Sequence, residues 1–94
     1  MNIRASLDIR YIGNVQGVGF RFTVRHIAEI YDIVGFVRNE PDGSVFVHAE
    51  GGRESLESFM REIESSPVMG YIRDKKVEEA ALTNGKYSQF IIEH

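Results

Sequence analysis

Leu7-Asp8-Ile9-Arg10-Tyr11-Ile12-Gly13-Asn14-Val15-Gln16-Gly17-Val18-Gly19-Phe20-Arg21 changes its pattern twice in fifteen residues. Leu7, Ile9 and Tyr11 alternate with Asp8 and Arg10, the period of two that lays one face of a strand on a core. Three glycines within Gly13 to Gly19 then read as a loop. Beyond it Phe20, Val24, Ile27, Ala28 and Tyr31 recur at i, i+4, i+7, i+8 and i+11, one face of a helix. Strand, glycine loop, helix is the unit from which the rest of the chain is read.

The same two periods continue outward. Val34 to Arg38 reads as a second strand ending at Asn39, and Glu40-Pro41-Asp42-Gly43 as a turn. Ser44 to Ala49 alternates again, with Val45, Val47 and Ala49 on one face, so this pair is expected to be a hairpin. Gly51-Gly52 breaks the chain before a second helix, whose buried face is Leu56, Phe59, Met60 and Ile63 and which stops at Ser65-Ser66-Pro67. Ile72 to Leu82 reads as a more polar strand, Asn84-Gly85 as a hairpin turn, and Tyr87 to Glu93 as a closing strand. The order is βαββαβ with a small additional C-terminal strand. It predicts an α+β, ferredoxin-like sandwich with two helices on one face of a mainly antiparallel sheet. In that fold strand three lies between strands one and two, which run parallel. Their C-terminal ends then share one sheet edge, two spacings or about 10 Å apart. The glycine loop and Asn39 are brought together there, although 18 positions separate Arg21 from Asn39.

Composition narrows the function. Residues 1–94 amount to one domain, of a size that buries roughly two-thirds of its unfolded surface. The absence of cysteine removes disulfides and thiolate metal sites, and suits a reducing cytoplasm. A net charge of −3 offers no long basic face for nucleic acid. No stretch approaches the ~20 apolar residues of a membrane span, and no apolar run follows Met1-Asn2-Ile3-Arg4 to make a signal peptide. The expectation is a cytoplasmic monomer with no nucleic-acid or membrane partner.

Glycines running into a helix start leave backbone N–H groups exposed, and with the helix dipole they form an anion site. Arg21 stands in the first turn, where a positive charge costs about 0.3–1 kcal/mol. A bound phosphate-like anion would reverse that cost and pair with the guanidinium fork. From composition alone, a glycine turn followed by an ordinary surface arginine is the favoured explanation of the stretch. No Lys-Ser/Thr follows the glycines as a P-loop requires, and their spacing is not that of a dinucleotide fold.

Gly13-Asn14-Val15-Gln16-Gly17-Val18-Gly19-Phe20-Arg21 resembles the first signature of the acylphosphatase family, in which a Val-Gln-Gly-Val core leads to Phe-Arg. The second signature is matched by Gly35-Phe36-Val37-Arg38-Asn39, then Asp42-Gly43-Ser44-Val45, then Glu50-Gly51. The resemblance implies a hydrolase that splits acyl phosphates into carboxylate and inorganic phosphate without a metal or other cofactor. It implies that Arg21 and the backbone amides of Gln16, Gly17, Val18, Gly19, Phe20 and Arg21 hold the phosphate, and that Asn39 positions the attacking water. Asn14 stands where the family commonly has a basic residue, and Glu40-Pro41 where its turn is more neutral.

Other residues read more plainly. Apart from the resemblance, Asn39 is better read as the asparagine that commonly ends a strand before a turn. His26, His48 and His94 are too scattered for a metal site, with no carboxylate at ligand spacing. Glu78 and Glu79 are neighbours on a strand, point to opposite faces and form no catalytic pair. A competing reading is a non-catalytic ferredoxin-like domain binding RNA or a small regulatory ligand, with Phe36 and Phe46 as stacking aromatics. It lacks an RNP1-like run with its basic residue and paired aromatics. A third is the acylphosphatase-like module of a larger maturation factor, against which the sequence reading sets a chain of one domain opening at a Met.

Overall fold

A computed structural model describes residues 2–94. The elements are β1 (Arg4–Gly13), α1 (Phe20–Ile30), β2 (Val34–Asn39), β3 (Val45–Gly52), α2 (Arg53–Glu64), β4 (Ile72–Glu79) and β5 (Phe90–Glu93). A short 3₁₀ turn over Pro67–Tyr71, not anticipated from the sequence, joins α2 to β4.

Alternation does what it predicts. Leu7, Ile9 and Tyr11 of β1 and Val45, Val47 and Ala49 of β3 are all buried. Phe20, Val24, Ile27 and Ala28 of α1 and Leu56, Phe59 and Ile63 of α2 meet them in one core. Tyr31 and Met60 are only partly buried at its margin. β3 runs through Gly52, so the glycine pair ends the strand and the helix starts directly at Arg53. The Arg53 N–H donates to the Ile3 carbonyl at 2.7 Å, which fixes that corner to the start of β1.

The sheet order is β4-β1-β3-β2-β5. β3 pairs antiparallel with both β1 and β2, which makes those two parallel, with Asn39 opposite Val45 and Tyr11 opposite Val45 on the other side. The glycine loop and Asn39 therefore emerge on the same edge, as the topology requires.

One expected pairing is corrected. Asn84 and Gly85 do take the left-handed φ values of a hairpin turn, 55° and 88°. The strands around them are nevertheless not partners: β4 pairs antiparallel with β1, and β5 pairs parallel with β2 at the opposite edge. Three strands separate them, a span of roughly 19 Å at ~4.8 Å per strand. Residues 80–89 make the crossing as a strap over the sheet face away from the helices. There the Thr83 hydroxyl donates to Glu50 Oε2 at 2.7 Å, and the Tyr87 ring lies 5.8 Å from Phe36 and 5.5 Å from His48. The closing strand is accordingly shorter than the sequence implies, starting at Phe90, whose buried ring packs 6.1 Å from Phe59.

Candidate active site

The loop after β1 carries two glycines in the left-handed region ahead of the start of α1. Gly17 and Gly19 take φ values of 78° and 77° on either side of Val18, the alternation of hand that makes a backbone nest for anions. A Cβ at either glycine would meet nothing within 4 Å, so glycine is required there by conformation and not by space. Gly19 is the N-cap of α1, with no side-chain cap and no acidic residue in the first turn. Thr23 is the first to donate back, to the Gly19 carbonyl at 3.1 Å. The N–H groups before it have no intrahelical acceptor.

Arg21 and Asn39 border one cavity of about 160 Å³, with Val15, Gly17, Gly19 and Phe20 forming the loop side and Phe22 completing the lining. Of the residues expected to offer amides, Gly17, Gly19, Phe20 and Arg21 line it; Gln16 and Val18 lie in the same loop without bordering it. Asn39 is exposed at the end of β2. Arg21 Nη1 lies 3.3 Å from the Glu93 carbonyl oxygen and 3.4 Å from His94 Nδ1. The end of β5 thus supports the arginine, a contact that no local signal announces because it depends on β5 pairing with β2.

The side chain of Gln16 has a place the sequence reading missed. Its Nε2 donates to the carbonyls of Glu40 and Ser44, each at 2.9 Å, stitching the glycine loop to the turn that follows Asn39. That turn is itself closed. Ser44 donates to Asp42 Oδ1 from its hydroxyl at 2.6 Å and its amide at 2.9 Å, while Arg10 Nη1 donates to the Ser44 hydroxyl at 2.8 Å. The Ser44 hydroxyl and amide together hold the Asp42 carboxyl below the usual aspartate range. Glu40 does not face the site as a free charge: its Oε1 is 2.9 Å from Arg38 Nε, a hydrogen bond that raises the arginine's already high pKa.

His26 is exposed on α1 and borders no part of the cavity. His48 has two carboxylate neighbours. Its Nδ1 is 2.7 Å from Asp8 Oδ1 and its Nε2 is 2.7 Å from Glu50 Oε2. Asp8 is the cross-strand partner of His48 and Glu50 lies two along the same strand, relations that only strand register reveals. The two carboxylates occupy opposite ring nitrogens and do not converge as metal ligands would. Phe36 is buried, with its ring centre 6.0 Å from that of Phe46, so it is engaged in packing on the strap side of the sheet.

The family model for acylphosphatase matches residues 7–92, which includes the loop, Arg21, Asn39 and β5 up to Ile92. The chain is 40% identical over 89 residues to the acylphosphatase of Thermotoga maritima, covering 95% of this chain and 97% of that one. Among solved structures, the acylphosphatase of Bacillus subtilis superposes with a TM-score of 0.86 at 33% identity, covering 98% of this chain and all of that one. Full-length HypF, in a phosphate- and nucleotide-bound form, contains a similar stretch (TM-score 0.85, 30% identity) that is 12% of its own length. With both halves of the cavity inside the matched range and the relatives collinear almost end to end, the chain belongs to the acylphosphatase family.

Proposed function

We propose that residues 1–94 act as one catalytic domain that hydrolyses acyl phosphates to a carboxylate and inorganic phosphate, without a metal ion. The observation that carries this is the single cavity shared by Arg21, the glycine-rich helix start and Asn39. The phosphoryl oxygens sit among the loop amides, with the Arg21 guanidinium pairing two of them in a fork. Asn39 offers its side-chain carbonyl to a water placed in line with the phosphorus. The water oxygen bonds to phosphorus as the bond from phosphorus to the acyl oxygen breaks, the carboxylate departs, and the water's proton passes to the phosphate product or to solvent.

This chemistry tolerates so bare a site. The leaving carboxylate is the base of an acid with a pKa of about 4, so no general acid is needed. Phosphoryl transfer passes through a loose transition state with little nucleophilic push. Positioning the water and stabilising charge on the equatorial oxygens are what remain. The reading includes a cytoplasmic monomer, for which gel filtration is the first check.

The test is hydrolysis of benzoyl phosphate in the presence of EDTA by the wild type, Arg21→Ala and Asn39→Ala. Rapid wild-type turnover that is lost in both variants supports the reading. Asn39→Ala is expected to lower kcat while inorganic phosphate still binds; a matching loss of phosphate affinity would make Asn39 a binding residue instead. A folded wild type without turnover refutes the hydrolase.

A further inference from the structure

The cavity of about 160 Å³ is smaller than the roughly 300–1,000 Å³ of pockets that enclose a drug-sized ligand. It suits the reacting end of a substrate, so an acyl group of any size must leave it over the rim. Phe22 stands there. It is 60% exposed and borders two spaces at once, the cavity and an adjoining groove of about 370 Å³ between α1 and β5. Scattered exposed apolar residues are ordinary; this one forms the wall shared by the phosphate site and the groove beside it.

The rest of the groove gives that wall a chemistry. Arg25, three residues on, holds its guanidinium carbon 5.5 Å from the centre of the Phe22 ring. It makes no ion pair among the described residues, and no aromatic ring packs on Phe22 among them. Phe90 and Ile92 of β5 line the far side. Glu29, Gln89 and His94 line the groove too; the charge of Glu29 offsets that of Arg25, and Phe22, Phe90, Ile91 and Ile92 supply its apolar surface.

We propose that Phe22, steadied by Arg25, is the acyl-group platform of this site and makes it prefer acyl phosphates with an aromatic acyl group to those with a short aliphatic one. The inference rests on the hydrolytic reading above. An aromatic acyl group meets Phe22 edge-on or offset as it leaves the cavity, and both rings lose water-exposed surface; an acetyl group offers only one methyl to the same ring.

Two measurements separate the platform from the chemistry. The first compares kcat/KM for benzoyl phosphate and acetyl phosphate in wild type, Phe22→Ala and Phe22→Tyr. The benzoyl-to-acetyl ratio should fall about three- to tenfold in Phe22→Ala and be kept in Phe22→Tyr. The second is calorimetric binding of benzylphosphonate and methylphosphonate, which needs no turnover. Phe22→Ala should weaken benzylphosphonate by a similar factor relative to methylphosphonate, with inorganic phosphate as the reference for an intact cavity. An unchanged ratio in either measurement, or an equal loss on both ligands, overturns the platform. Phosphonate discrimination that depends on Phe22, in a wild type that hydrolyses neither acyl phosphate, supports the platform and refutes the hydrolase.

Discussion

Arg21 and Gln16 show two ways in which one side chain can matter to the same cavity. Arg21 faces it directly and is steadied from behind by the Glu93 carbonyl at 3.3 Å. A lysine would keep the charge but lose the planar fork, and Arg21→Lys should lower kcat/KM by about 10²–10³-fold, the scale of losing one transition-state donor. Steady-state hydrolysis of benzoyl phosphate checks this, and retention of most activity would remove the bidentate model. Gln16 works through the frame. Its two hydrogen bonds hold the loop to carbonyls 24 and 28 positions away. Gln16→Ala should cost about 1–2 kcal/mol of stability in urea unfolding, since each bond contributes ~1 kcal/mol, while the Glu40 and Ser44 carbonyls keep the Gly43 and Glu40 N–H groups as donors. Arg21 and Asn39 were legible from the two signatures. The Gln16 side chain was not, because its acceptors are backbone groups, which leave no mark in a sequence.

At the scale of elements, β2 carries a demand that its hydrophobic pattern does not display. Gly35 has φ of 135°, and a Cβ there would run into the backbone carbonyl of His48 on β3. Neither the backbone atom nor the pairing register can give way cheaply. Gly35→Ala is expected to destabilise by about 3 kcal/mol, and to shift Asn39 through the strand it ends. Thermal unfolding followed by circular dichroism measures the first effect, and a drop of more than 10 °C is the corresponding scale for a domain of this size. The existence and order of the helices and strands were readable because their periods of 3.6 and 2 are local. Asn84-Gly85 marks where that stops. The dipeptide does specify its own dihedral angles, but whether a turn joins paired strands depends on which edges of the sheet are free.

Across the whole molecule, the strap and the sheet face beneath it form one polar chain running Asp8, His48, Glu50, Thr83. Burial pushes the Glu50 carboxyl up, and the hydrogen bonds from Thr83 and His48 outweigh it, leaving the group below the usual glutamate range. A carboxyl depressed in the folded state adds stability at pH values above its unfolded pKa, and that contribution is lost as pH falls through the folded one. Unfolding free energy should therefore hold between pH 7 and pH 5 as far as Glu50 is concerned and decline below about pH 4.5. Thr83→Val should cost about 1.5 kcal/mol at neutral pH, the low end for a hydrogen bond to a charged group, and should flatten the acid decline. Urea titrations of both proteins from pH 3 to 7 test this, and an equal acid slope would dissociate Thr83 from the effect.

The sequence alone determined the alternation of strands and helices, the glycine loop and the two signatures, since each is a property of neighbours along the chain. It followed that Arg21 and Asn39 would share a sheet edge, because the order of elements permits few ways to bury two amphipathic helices. Only the tertiary structure decided that the last strand crosses to β2, that Gln16 ties loop to turn, that His48 stands between two carboxylates, and that Phe22 divides the cavity from a groove. Those facts rest on pairing register and packing between distant segments, where the partner of a side chain is chosen by geometry that no window of residues contains.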